Sequence, residues 1–333
     1  LLRLAESLSI PVATSLNGKD TFLANHPLSA GVVGTYSRGS ANRVVGEADL
    51  ICFIGSKTGG MTTHFWQVPP IGANAIQIDI DPQAIGQNYP LKVAVQGDAR
   101  SVLEVMISRM DPSTATRRDG WNHQVKEFVD DWYKEYNPLL SSDATPIRPE
   151  RLCNDLTRLL PDDSFVVVDT GHAGMWMGGM FDVTSTSQNY IRSAGHLGWA
   201  FPAGLGAKCA LPERPVVCFT GDAGFWYHIG EIETAVRWNI NSITLVNNNS
   251  AGNQSKTGFD RAYGGTQTEQ AKEIWNFTKV NFANIANEIG ALGIRVEKPS
   301  DFKGALERAL SADRPVVIDV VTDVDAIAPV AVT

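Results

Sequence analysis

Two apolar runs of the sequence stop on polar side chains. "VVCFTGD", residues 216–222, closes on Asp222, and "SITLVNNN", residues 242–249, closes on three consecutive asparagines ending at Asn249. A carboxylate and an amide are hard oxygen donors. Such donors suit magnesium, which keeps octahedral geometry and ordinarily shares its shell with phosphate oxygens. Ala223 and Gly224, directly after Asp222, are small enough to let backbone N–H groups approach an anion where the next helix begins. Gly-Asp and Asn-rich segments taken singly are turn formers. Their joint placement decides the reading, because "GEIETAVRWN" between them has a helical pattern. A right-handed crossover then returns both side chains to the carboxyl ends of parallel strands. Asp222 and Asn249 are expected to meet in one crevice and clamp a metal-diphosphate group.

The elements around them alternate. Helix "PERLCNDLTRLL", strand "SFVVVDTG", helix "FPAGLGAKCAL", strand "PVVCFTGD", helix "GEIETAVRWN" and strand "SITLVNNN" follow one another; helix "NFANIANEIG", strand "IRVEK", helix "DFKGALERAL" and strand "PVVIDVVT" come after a polar loop. The first third reads alike, with strands in "IPVATS", "DLICFIGS", "NAIQIDID" and "KVAVQGD" and helices in "ANRVVGEA" and "ARSVLEVMISRM". Short β runs separated by helices favour a parallel sheet covered on both faces. The expected fold is α/β, with two doubly wound, mainly parallel-sheet domains at residues 1–110 and 150–333. Residues 111–149 read as a linker carrying one helix, "WNHQVKEFVDDWYKEY". "LLRLAESLSIPVATS" begins without methionine and reads as the last turns of a helix entering a strand. The expectation is that the chain is a piece of a longer polypeptide.

Composition narrows the partners. A formal net charge of −8 opposes a general attraction to nucleic acid or to an anionic membrane. No apolar stretch approaches the roughly 20 residues needed to span a bilayer, and no signal pattern opens the chain, so a cytoplasmic location is expected. Cys52, Cys153, Cys209 and Cys218 show no CxxC spacing and sit in apolar or helical contexts. They are expected to be buried and reduced.

With these residues in view, the sequence resembles the thiamine diphosphate-dependent enzymes, most closely the acetohydroxyacid synthase and pyruvate oxidase group. That family's diphosphate motif is Gly-Asp-Gly or Gly-Asp-Ala, then a helix and a strand ending in Asn-Asn. Here it reads "GDAGF" to "VNNNS", with Asn249 at the family's offset from Asp222. The resemblance implies cofactor contacts from Gly221, Asp222, Ala223 and Gly224. It implies magnesium (Mg2+) ligation by the side chains of Asp222 and Asn249 and the backbone carbonyl of Ala251. "SAGHLGWAFPAGLGA" resembles the segment in which a bulky apolar residue, here Leu197, holds the cofactor bent, while the Gly195 carbonyl accepts from its aminopyrimidine. "VVVDTGHAGMWMG" resembles the loop that contacts diphosphate, implicating Gly171, His172 and Ala173, and carries the Met175-Trp176 pair of acetohydroxyacid synthases.

"NGKDTFLANHPLSAGVVG" and "IQIDIDPQAIGQN" resemble the group's central, Rossmann-like domain, which binds FAD or an adenosine nucleotide in some members and nothing in others. Flavin-binding members carry an arginine after the glycine that ends "LICFIG"; this chain reads "GSKTGG", with Lys57, which counts against FAD. The resemblance further implies a homodimer or homotetramer acting on 2-oxo acids, with the activating glutamate on a separate pyrimidine-binding domain before residue 1. Acetolactate synthase-like carboligation is the expected activity. A 2-oxo acid decarboxylase or 2-hydroxyacyl-CoA lyase is the alternative, and a non-catalytic nucleotide-binding or regulatory subunit the alternative of another class.

Other signals are weaker. "GLGAKC" follows Pro202 rather than a strand and puts Cys209 at the third glycine position of a dinucleotide fingerprint. "GSKTGGMT" puts Met61 where a P-loop needs lysine. His172 and His196 are the histidines expected to face the cofactor, with a packed or solvent-facing role the alternative for each; His228 reads as a helix-surface residue, and His26, His64 and His123 show no chemical spacing. The Asp pairs at 130 and 162 read as solvated charges. Trp226 and Tyr227 either line the substrate pocket or pack an interface.

Overall fold

The computed structural model describes residues 1–329. The last four residues of the expected second domain lie outside the described residues. Two compact units are present, one spanning Leu1–Tyr136 and the other Asn137–Pro329.

The first unit contains, in chain order, α1 (Leu2–Leu8), β1 (Val12–Thr14), β2 (Ser29–Val32), α2 (Gly39–Glu47), β3 (Ile51–Ile54), β4 (Ala75–Asp79), β5 (Val93–Gln96) and α3 (Ala99–Arg109). β1 and β2 pair in parallel, and β3, β4 and β5 form a second parallel sheet. Leu4, Ile78 and Leu103 close one small core over the second sheet. α4 (Asp119–Leu140) follows, and the division between the units falls within it. Val125 and Phe128 of α4 pack against Ala30, Ala41 and Val44. The stretch read as a linker thus contributes an apolar helix face to the first unit's core and continues into the second unit.

The second unit is built on six strands: β6 (Phe165–Val168), β7 (Asn189–Arg192), β8 (Val216–Gly221), β9 (Ile243–Asn248), β10 (Leu292–Val296) and β11 (Val316–Val321). Their order is β10-β11-β9-β8-β6-β7, and every pairing is parallel. The interior strands are near-continuous apolar runs because both faces are covered: Val166, Val167, Leu245, Ile318 and Val320 are all fully buried. The covering helices are α5 (Pro149–Leu159), α6 (His172–Met180), α7 (Ala200–Ala210), α8 (Asp222–Tyr227), α9 (Glu231–Arg237), α10 (Asn253–Ala262), α11 (Glu269–Trp275), α12 (Phe282–Ile289) and α13 (Pro299–Leu310). From β6 the chain passes first to β7 on one side and then to β8 on the other. The carboxyl ends of β6 and β8 therefore flank a topological switch point, where open α/β sheets form their crevices.

Gly204 of α7 explains the "GLGAKC" run. A Cβ placed there would come 1.8 Å from Cys218 Sγ on β8, so this glycine serves close helix-to-strand packing. Cys153 and Cys218 are buried as expected, whereas Cys52 and Cys209 are exposed, and all four are free thiols. Cys52 lies on the exposed side of the short strand β3, and Cys209 on the solvent face at the end of α7. The Asp pairs at 130 and 162 are exposed, in line with solvated charges. Among the described residues no helix is long and apolar enough to cross a membrane.

Candidate active site

Asp222 follows the last residue of β8 and Asn249 the last residue of β9. The two strands are neighbours, with Gly221 registered against Asn247. The crossover thus does bring both side chains to one edge of the sheet. They converge closely enough to share a donor: the Ala251 N–H reaches Asp222 Oδ2 at 3.2 Å and Asn249 Oδ1 at 3.1 Å. The Ala223 N–H holds Asp222 Oδ1 at 2.7 Å. Ala251 is presented by a local bridge to Asn276, in which Gly252 N–H donates to Trp275 O at 2.7 Å and Phe277 N–H to Ser250 O at 2.8 Å. Asp222 is 3% exposed. Burial pushes its carboxyl up to about 6, outweighing the backbone donors that lower it, and Asp319 adds to the rise.

Strand alternation separates the three asparagines. Asn247 and Asn249 both face the cavity. Asn248 turns to the other side, where its Nδ2 donates to Val280 O at 3.0 Å and to Asp319 Oδ1 at 2.8 Å.

The opposite wall comes from the end of β6. Asp169 is fully buried; its carboxylate accepts from Thr170 N–H at 2.8 Å, Thr220 Oγ1 at 2.8 Å and Gly198 N–H at 3.0 Å. Burial raises its pKa, opposed by those donors. The carboxylate thereby ties three segments of the site together. Gly224 makes the junction possible, since a Cβ there would sit 2.7 Å from Asp169 Oδ2. Gly171, at φ 66° and ψ −145°, turns the chain into α6 in a conformation open to glycine alone. The "HAGMWMGGM" stretch read as a loop is therefore helical from His172 on. Met175 and Trp176 are buried inside that helix's packing face. His172 stays at the cavity, where burial lowers its pKa to about 4 and leaves Nδ1 without a partner.

Together these walls enclose a cavity of about 570 Å³. Gly171, His172, Ala173, Leu197, Gly221, Asp222, Ala223, Gly224, Asn249 and Ala251 all line it. Leu197 is 40% exposed, an apolar side chain held toward open space. Trp226 and Tyr227 also line the cavity and are exposed, and His228 is exposed, as a helix-surface residue would be. Gly195 and His196 stand apart from the lining, in an exposed turn closed by Ser193: its Oγ accepts from His196 N–H at 2.9 Å and donates to His196 O at 3.1 Å. Sequence reasoning missed Asn247, Asn253, Gln254, Ser255, Ile274 and Phe277 on the walls. The polar run "GNQS" directly after Ala251 was the available signal; Ile274 and Phe277 arrive from a distant segment and carry none. Among the described residues no cluster of three or more His, Cys, Asp or Glu could hold a metal. Asp222, Asn249 and Ala251 on the wall offer one carboxylate, one amide and a backbone carbonyl, a donor set that fits a hard cation taking its other ligands from phosphate.

Residues 169–320 match the family described as thiamine pyrophosphate enzyme, C-terminal TPP binding domain, and residues 1–106 match the thiamine pyrophosphate enzyme central domain. The chain belongs to the thiamine pyrophosphate enzymes. The matched C-terminal region begins at Asp169, directly after β6, and contains every residue that lines the cavity. Among individual proteins the chain is similar to a probable acetolactate synthase large subunit of Methanococcus aeolicus, 30% identical over 97% of this chain and 55% of that protein. It is likewise similar to the acetolactate synthase isozyme 3 large subunit of Escherichia coli, 28% identical over 96% of this chain and 55% of that protein. The acetolactate synthase large subunit of Cyanidium caldarium is 28% identical over 95% of this chain and 53% of its own length. The chain spans about half the length of these relatives.

Proposed function

We propose that the cavity holds thiamine diphosphate through magnesium, and that the full-length protein joins 2-oxo acids by acetolactate synthase-like carboligation. The carrying observation is the single Ala251 N–H shared by Asp222 and Asn249 on the cavity wall. In this reading Asp222, Asn249 and the Ala251 carbonyl hold the ion. Gly221, Ala223, Gly224 and the Gly171–Ala173 turn lie against the diphosphate. Leu197 supports the bent cofactor and His172 exchanges protons with substrate; the Gly195 carbonyl and His196, which stand apart from the cavity lining, join this reading by resemblance alone.

When bound, the cofactor supplies an electron sink beside the substrate carbonyl. The chain's own share is to orient the 2-oxo acid and keep water from the reacting carbon, using Trp226, Ile274 and Phe277 as apolar cover. In balance, two 2-oxo acids and one proton give carbon dioxide and one 2-hydroxy-3-oxo acid. Homo-oligomeric assembly, as a dimer or tetramer, belongs to the same reading and rests on resemblance.

Calorimetric titration of the full-length protein with thiamine diphosphate, with and without magnesium, tests the site. Product analysis with pyruvate, alone and with a second oxo acid, tests the reaction. Free aldehyde as sole product would assign a decarboxylase, and absence of cofactor binding would sink the proposal.

A further inference from the structure

Leu197 reaches the cavity from a turn that its own side chain does little to hold. With 40% of it exposed, packing alone does not fix where it stands. Its peptide does. The N–H that Leu197 shares with Gly198 across their peptide bond lies 3.0 Å from both oxygens of Asp169. Gly198 is at φ 88°, and a Cβ there would come 2.8 Å from Gly224 O and from Tyr227 Cβ. The turn is therefore pressed onto α8 on one side and bonded to a carboxylate on the other.

That carboxylate also starts the next helix. The first N–H groups of a helix have no partner inside it, and Trp199, which precedes α7, gives no side-chain cap. Asp169 stands in from another element: beside the Gly198 N–H, the Ala200 N–H favours its charged form, and a negative charge suits the positive end of the helix dipole. Thr170 N–H and Thr220 Oγ1, both at 2.8 Å, orient the same group from the ends of β6 and β8. Asp169 itself lies behind the cavity wall, fully buried. An asparagine in its place would set an NH2 group against donors that converge on both oxygens, and at least one of these bonds would be lost.

We propose that Asp169 is a positioning residue for the reaction: through the Gly198 N–H it holds Leu197 where the cofactor bends over it, and it touches neither cofactor nor substrate. The inference rests on the thiamine diphosphate reading and adds to it the residue on which the Leu197 support depends.

Two measurements on the full-length protein test it. Without cofactor, hydrogen exchange at the Gly198 and Ala200 amides is expected to be at least about tenfold faster in Asp169→Asn than in the parent, with the strand amides of β9 and β11 unchanged. With thiamine diphosphate, magnesium and pyruvate, Asp169→Asn and Leu197→Ala are each expected to lower kcat at least about tenfold. Because the first acts through the second, the double variant should stay within about threefold of Leu197→Ala alone; a merely structural Asp169 would make the two losses multiply. Should Asp169→Asn fail to fold, Thr220→Val, which removes one of the donors that orient the carboxylate, is expected to lower kcat in the same non-additive way. Multiplying losses, an unchanged kcat in either single variant, or unchanged exchange at Gly198 would overturn the proposal. Absence of cofactor binding by the parent would instead remove the functional reading beneath it.

Discussion

Asp222 and Asn249 accept from one N–H, that of Ala251, at 3.2 Å and 3.1 Å. The shared donor holds two hard oxygens side by side, an arrangement that a single divalent cation could also use. Asp222→Asn keeps the shape and removes the charge. We expect it to weaken magnesium-dependent binding of thiamine diphosphate at least about a hundredfold in a calorimetric titration, because hydrogen bonds and ligation involving charged groups are the strong ones. Unchanged affinity would refute the assignment of the metal site.

The same carboxylate predicts a pH dependence with a definite sign. Its pKa is raised by burial from 3.8 to about 6. Between those values the folded chain binds the proton more tightly than the unfolded chain. Its contribution to stability is therefore fully present below the unfolded value and is lost as pH rises through about 6, by about 3 kcal/mol in all. Without metal, urea unfolding should show Asp222→Asn free of this slope and more stable than the parent at neutral pH. On the proposed ligation magnesium would compete with that proton, so cofactor affinity should fall as pH drops below about 6. A metal-free stability that climbs with pH in this window, relative to Asp222→Asn, would contradict the buried ionisation.

Much of this site was readable because its strands are continuous apolar runs that end in residue types foreign to a sheet interior. "FVVV", "VVCF" and "ITLV" mark β6, β8 and β9, and Asp222 and Asn249 stand one step beyond. β2 and β7 were missed, since "SAGV" and "NYIR" lack a branched apolar run and are only partly buried. The stretch after Gly171 resembles a diphosphate-contacting loop of the family, yet from His172 it is helical: Gly174, Gly178 and Gly179 depress helix propensity, and burial of Met175, Trp176, Met177 and Met180 overrides it. The cavity role of Asn253 was invisible because its orientation is set by Val324 and Ala326, far along the chain. Gly195 and His196 matched a family pattern, but their place relative to the cavity depends on the Ser193 turn, which a motif does not encode.

Asp169 links the Gly198 turn, Thr170 and β8, and Gly224 leaves it room. Gly224→Ala would put a methyl 2.7 Å from Asp169 Oδ2 and 2.9 Å from Thr220 Oγ1, both on buried side chains that are hydrogen-bonded in place. Overpacking of this kind costs about 1–3 kcal/mol. The expected outcome is a lowered urea midpoint together with weaker cofactor binding, since the shift is transmitted to the Asp222 turn. The control is Gly206→Ala in α7, where an added Cβ meets nothing within 4 Å. A Gly224→Ala protein as stable as the control would show that the junction is loose.

The three asparagines offer the sharpest separation of stability from binding. Asn248 faces away from the cavity and spans Val280 O and Asp319 Oδ1, and Asp319 in turn accepts from Phe282 N–H at 2.8 Å and pairs with Arg295. Asn248→Ala leaves buried acceptors short of a donor, a loss of about 1–3 kcal/mol in urea unfolding, and should leave cofactor affinity close to that of the parent. Asn249→Ala removes a proposed ligand from an open cavity wall; it should leave the urea midpoint nearly unchanged while magnesium-dependent affinity falls by at least about tenfold. Neighbours of identical chemistry would thus fail in opposite assays, for no reason other than the twofold alternation of a strand. If Asn248→Ala lost the cofactor and Asn249→Ala lost only stability, the face assignment and the metal site built on it would both be wrong.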